Sequence, residues 1–223
     1  MKKNSILCKI SKLLVLFILI GFIVPPGVMA QTEKGIALYN NWEYKRAEAV
    51  LSDQIEKNPA DIKAGYYLGL ALLMQEKKEE ALKAFQKAKV SVKQAKISKN
   101  DPVRGQLEIA LAWVCLDQKK TMEAWNHIKA AEKEKADPAD IHTYRGAYYL
   151  EKGEVEKALG ELEKAVELKS ENPYTFFYAG IVFLRSERPT NVLNAVDMFK
   201  IFLELAPYAP EAEKIKFFVD NLC

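Results

Sequence analysis

The 223-residue chain is 49% hydrophobic and 28% charged, a balance that supports an ordinary globular core and excludes intrinsic disorder. Its formal net charge of +3 does not mark a nucleic-acid-binding surface. The first thirty residues carry four lysines and no acid, and without them 29 basic side chains face 30 acidic ones. Three cysteines, one of them in that leader, exclude a disulfide-framed fold.

At the start of the chain Lys2, Lys3, Lys9 and Lys12 precede an uncharged apolar run from Leu13 to Val24. This run is shorter than the ~20 residues that span a bilayer, and it carries the basic and apolar regions of an export signal. Pro25-Pro26-Gly27 then interrupts it, and Val28-Met29-Ala30 offers a small-residue cleavage site ahead of Gln31. Residues 1–30 are therefore read as a signal peptide, with an uncleaved anchor as the alternative. Residues 31–223 are expected outside the cytoplasm, in the periplasm, at the cell surface or secreted. Cys8 lies before the apolar run, so lipid attachment at a cysteine is disfavoured.

From Gln31 onward the chain repeats itself. A small residue is followed twelve positions later by Ala in the pairs Gly35 and Ala47, Gly69 and Ala81, Ala112 and Ala124, Gly146 and Ala158. The steps between first members are 34, 43, 34 and, to Gly180, 34 residues, which places a nine-residue insertion between the second and third units. In the fifth unit Ala195 comes three positions late, and a turn at Arg188-Pro189-Thr190-Asn191 absorbs the excess. Four residues after each Ala stands a large apolar side chain: Leu51, Phe85, Ile128, Leu162 and Phe199. Ala88, Ala131 and Ala165 follow at seven, so both spacings fall on one helix face. Asn58-Pro59, Asp137-Pro138, Asn172-Pro173 and Ala206-Pro207 punctuate the unit ends. Each unit is thus a helical hairpin. A glycine inside a helix costs ~1 kcal/mol relative to Ala, and recurrence at one register position marks a place where two helices approach closely. A lone hairpin has nowhere to bury its apolar face. Five stacked ones make a continuous core and a curved, right-handed superhelix with an open concave side.

This pattern resembles the tetratricopeptide repeat (TPR) family over about residues 31 to 207. Leu68-Gly69 with Leu72, Ala81, Phe85 and Ala88, and Gly146 with Tyr149, Gly153, Ala158, Leu162 and Ala165, carry the likeness best. The family's early Trp is replaced by Gly65, Glu108, His142 and Phe176, and Gln54 stands where Ala is usual. The resemblance implies an all-α solenoid of about five hairpins, at residues 31–60, 61–92, 103–137, 138–171 and 172–207. A capping helix follows at 210–222, with Ala212, Ile215, Val219 and Leu222 forming its buried stripe and Phe217 lying off it.

The resemblance also implies where a partner sits, because the first helix of each hairpin lines the family's concave surface. Three before the small residue stand Thr32, Tyr66, Ile109, Thr143 and Phe177; one after it, Ile36, Leu70, Trp113, Ala147 and Ile181; five after it, Asn40, Met74, Asp117, Glu151 and Arg185. The family's clamp for a chain terminus uses Asn one after the small residue, and no unit has it. An apolar, aromatic groove for a protein or peptide segment is expected instead, with Tyr66, Leu70, Met74, Trp113, Phe177 and Ile181 as anchors. Lys83, Lys87, Lys89, Lys93, Lys96 and Lys99, with no acid from Ala81 to Asn100, form a candidate stripe for anionic lipid or an acidic partner; the alternative is a solvated helix face.

The residues assemble no catalytic constellation. His127, His142 and Cys115 fall at scattered spacings and are too few for a zinc site, and there is no phosphate-cradling glycine loop. The chain is expected to be a scaffold with no enzyme activity, cofactor or metal. The alternatives are a structural envelope component that assembles with itself through Cys223, Phe217 or the last repeat, with a homodimer through Cys223 as one form, and surface attachment through the lysine stripe or an uncleaved N-terminus.

Overall fold

The computed structural model describes residues 26–95, 97–186 and 191–222. The basic and apolar leader before Pro26, Lys96, most of the Arg188–Asn191 turn and Cys223 lie outside them. Every described element is a helix. The hairpins are α1 Pro26–Asn40 with α2 Tyr44–Lys57, α3 Ile62–Leu73 with α4 Lys78–Gln94, and α5 Pro102–Asp117 with α6 Thr121–Lys133. Then come α7 Pro138–Glu151 with α8 Val155–Glu167 and α9 Pro173–Arg185 with α10 Asn191–Leu205, closed by α11 Ala212–Leu222. Among the described residues no helix is long and apolar enough to cross a membrane. Helix α1 starts at Pro26, where a proline fits the first turn, and runs unbroken through the expected cleavage junction at Ala30.

The recurring small residues sit where the two helices of a hairpin touch. A β-carbon added at Gly35, Gly69, Gly146 or Gly180 would collide with Leu51, Phe85, Leu162 or Phe199 respectively, the large residue of the facing helix. Those four side chains are at most 1% exposed, and Ala47, Ala81, Ala124, Ala158 and Ala195 are fully buried. Ala112 and Ile128 hold the equivalent places in the third unit, both in one buried cluster.

The two helices of a hairpin start differently. Four first helices take side-chain caps: Asp61, Asp101, Asp137 and Asn172 accept from the backbone N–H of Ala64, Val103, Ala139 and Tyr174, and a proline opens the last three. The second helices α2, α4, α6 and α8 have no such cap and are launched by a left-handed residue in the tight turn: Trp42, Glu76, Lys119 and Gly153, with φ of 60°, 59°, 58° and 74°.

Curvature follows from which helices meet. Consecutive first helices pack against one another (α1 on α3, α3 on α5, α5 on α7, α7 on α9), whereas no second helix packs on another, each meeting first helices and the last one also the terminal α11. The first helices therefore crowd the inside of the bend. The second helices splay on the outside.

Departures from the family pattern are filled by polar bridges. Glu108 on α5 accepts from Lys89 at 2.7 Å and meets His127 Nδ1 on α6 at 2.7 Å. One unit later the roles exchange helices, with His142 on α7 meeting Glu161 on α8 at 2.8 Å. Burial disfavours the Glu108 carboxylate, but the hydrogen bonds from His127 and Lys89 outweigh it and hold its pKa below the usual glutamate range. Gln54, fully buried, donates to Asp61 at 2.8 Å, and Thr32 donates to the same oxygen at 2.7 Å, so the cap of α3 also ties three helices together. Thr143, Thr175 and Ser170 form a second buried junction, with oxygen separations of 2.6 and 2.7 Å.

Candidate functional site

The inside of the bend holds a cavity of about 420 Å³, within the size range of ligand-binding sites. Its walls come from every unit. Tyr39 and Asn40 end α1, Trp42 and Tyr44 flank the first turn, and Tyr66, Leu70 and Met74 descend α3. Ile109, Ala110 and Trp113 follow from α5, Asp140 and Tyr144 from α7, Asn172 to Tyr174 open α9, and Leu205 and Ala206 close α10. Such convergence needs a tight bend. Trp113 reaches across to Tyr174 in the fifth unit, ring centroids 4.4 Å apart, and Trp42 in the first turn meets Tyr208 just before α11 at 5.2 Å. The two ends of the array touch through that last pair.

The one charged side chain in the described lining is acidic, and a second carboxylate lies behind it. Asp140 accepts from Asn172 Nδ2 at 2.7 Å, and the Tyr174 hydroxyl donates to Glu211 Oε2 at 3.1 Å behind the wall. Burial pushes both carboxyl pKa values up, only partly offset by those hydrogen bonds, and it pushes the Tyr66, Tyr144 and Tyr174 phenols up as well. Among the described residues no lysine or arginine lines the space.

Four of the six expected anchors, Tyr66, Leu70, Met74 and Trp113, stand together on this wall. Phe177 and Ile181 do not line it. They pack against the buried cluster of Ala195, Val196 and Phe199 on α10 and Val219 on α11, which covers that stretch of α9. Thr32 and Thr143, at the same register as Tyr66, are buried in the polar junctions. Tyr39, Tyr144, Tyr174 and Asp140 complete the cavity from register positions outside the expected set.

The lysine stripe is divided. Lys83, Lys87, Lys93 and Lys99 are exposed on α4 and the segment after it, but Lys89 is half-buried against Glu108. Cys115 is buried and free, and burial raises its thiol pKa, which keeps it protonated and unreactive. Phe217 stands 72% exposed on the outer face of α11.

No curated protein matches the sequence. A thermophilic TPR protein of Thermus thermophilus superposes with a TM-score of 0.64 at 20% identity, over 87% of this chain and 97% of that one. PilW, a widely conserved type IV pilus biogenesis factor, gives 0.59 at 13% identity over 89% and 94% of the two chains. PilF of Pseudomonas aeruginosa gives 0.57 at 14% over 87% and 91%. At such identities the likeness is one of fold alone. In sequence, residues 32–96 and 109–173 match the tetratricopeptide repeat, each stretch covering two of the hairpins and together more than half of the chain. With the small-on-large contacts recurring at the same register along the array, the chain belongs to the tetratricopeptide repeat family of protein- and peptide-binding scaffolds.

Proposed function

We propose that this protein is an exported, non-catalytic scaffold that holds an extended segment of a partner protein in the cavity on its concave face. The observation that carries the reading is the convergence of Tyr66, Leu70, Met74 and Trp113 on one solvent-reached space inside the bend. Apolar and aromatic groups left facing a concavity mark interaction sites. Two or three anchors worth ~2 kcal/mol each work against the entropy of ordering a short flexible segment. Export rests on the leader, with its lysines, apolar run and small-residue junction. The fold shared with PilW, a type IV pilus biogenesis factor, accords with an envelope role.

The test is partner capture by the full chain from envelope extract, beside a Tyr66→Ala, Trp113→Ala double variant whose helicity is matched by circular dichroism. A partner retained by the wild type and lost by the folded variant supports the groove. Equal capture by both excludes it. A second reading, self-assembly through the last unit, is favoured by Phe217 on α11 and by Leu193, 71% exposed on α10. It predicts a concentration-dependent increase in molecular mass that Phe217→Ser abolishes.

A further inference from the structure

The cavity has aromatic walls and acidic polarity. Tyr39, Tyr44, Tyr66, Trp113, Tyr144 and Tyr174 supply π-surfaces, Asp140 supplies a carboxylate, and nothing in the described lining supplies a positive charge. Burial disfavours the ionised Asp140, and its bonded partner is the neutral amide of Asn172. Glu211, behind Tyr174, is in the same position: its bonded side chain is a neutral phenol, and Lys78, whose charge reaches it, is bound to Asp117 at 2.7 Å. Elsewhere half-buried carboxylates either meet a cation, as Glu108 meets Lys89, Glu48 meets Lys77 and Glu134 meets Arg104, or cap a helix, as Asp61 and Asp101 do. Among the described residues Asp140, at the open concave face, is bonded to a neutral amide and to no cation.

On that basis we propose that the cavity is a receptor for a cationic side chain, a lysine or arginine of the bound partner segment, held against the rings of Tyr66 and Trp113 and neutralised by Asp140. This rests on the groove reading and adds to it the chemistry of the occupant. A cation over aromatic faces in a partly desolvated space is attracted by the ring quadrupoles, and a carboxylate there strengthens the attraction because water screens it less. An acidic or purely apolar residue at the same place gains nothing from Asp140 and is repelled by it or leaves it buried and unpaired. The apolar flanks Leu70, Met74, Ile109 and Leu205 take the neighbouring side chains, so the motif expected is a basic residue set among apolar ones.

The experiment is selection of a random peptide library displayed on phage against the full chain, run in parallel against Asp140→Asn and Trp113→Ala. The expected result is enrichment on the wild type of peptides sharing one Lys or Arg with apolar neighbours. Synthetic copies should lose about tenfold in affinity when that residue becomes norleucine, and the same tenfold on Asp140→Asn, whose amide oxygen can still accept from Asn172. Peptides that depend on Trp113 but show no basic preference overturn the cation proposal and leave the groove reading standing. Enrichment indifferent to Trp113, or none, overturns both. Should Trp113→Ala fail to fold, Met74→Ala replaces it in the groove arm, while Asp140→Asn alone decides the cation.

Discussion

The contact inside each hairpin and the surface inside the bend are both largely apolar and both draw on the first helices, yet they differ in one respect. Inside the hairpin the units do the same thing: a small residue lies under a large one, Gly69 under Phe85, Gly146 under Leu162, Gly180 under Phe199. Inside the bend the units diverge, and the register position of Tyr66 holds Thr32, Ile109, Thr143 and Phe177 in the others. What recurs with the period holds the array together. What breaks the period distinguishes this array from another with the same backbone.

The largest expected effect comes from breaking the recurrent side. Phe85→Ala should cost about 3–5 kcal/mol in urea unfolding, because a fully buried ring is removed from a place only Gly69 can fit beneath. Trp113→Ala, on the variable side, should cost about 1–2 kcal/mol through the loss of its Tyr174 contact while abolishing partner capture. Equal stability losses at both sites would make the concave wall ordinary core and end the distinction.

Next in size is Glu108, a polar substitute within the recurrent frame. Its native pKa is depressed, so below neutrality the folded chain binds fewer protons there than the unfolded one. That contribution is present above the ordinary glutamate pKa and is lost as pH falls through the depressed value. Glu108→Gln should therefore lower stability by about 1–2 kcal/mol near neutral pH, and the gap to wild type should close on acidification, as read from thermal melts across pH. Asp140 and Glu211 run the other way, since their raised pKa values make the ionised forms unfavourable and favour the fold as pH falls.

Sequence reveals the two surfaces to different depths. The spacing of Gly69 and Phe85 is legible because both lie in one hairpin, and the period repeats the evidence from unit to unit. The cavity is not legible in that way. Tyr39, Tyr174 and Leu205 meet only because crowded first helices bend the array enough to bring its ends together, and no local spacing encodes that angle. Phe177 and Ile181 mislead for a related reason: they occupy groove register, but the terminal helices cover the fifth unit. The exchange of His and Glu between α5–α6 and α7–α8 shows in the sequence only as departures at Glu108 and His142, whose partners nineteen residues on the contacts supply.

Smaller effects sharpen the comparison within the turns. Gly153→Ala should destabilise by about 1 kcal/mol purely through its left-handed backbone, since nothing lies near its absent β-carbon, and Lys119→Gly at the same register should gain a few tenths to 1 kcal/mol. The smallest change belongs to Asp140→Asn, whose melting temperature should equal or slightly exceed that of wild type, because a half-buried charge is removed and its bond from Asn172 kept. A marked loss would make Asp140 a structural residue.

The pairing of Trp42 with Tyr208 has a mechanical side. A stack of hairpins is a spring, each coil linked only to its neighbours, and joining the first coil to the tail turns the spring into a hoop. A partly exposed ring pair is worth about 1 kcal/mol, so the clasp between the two ends adds little to the stability of the array and Trp42→Ala should leave the melting temperature nearly unchanged.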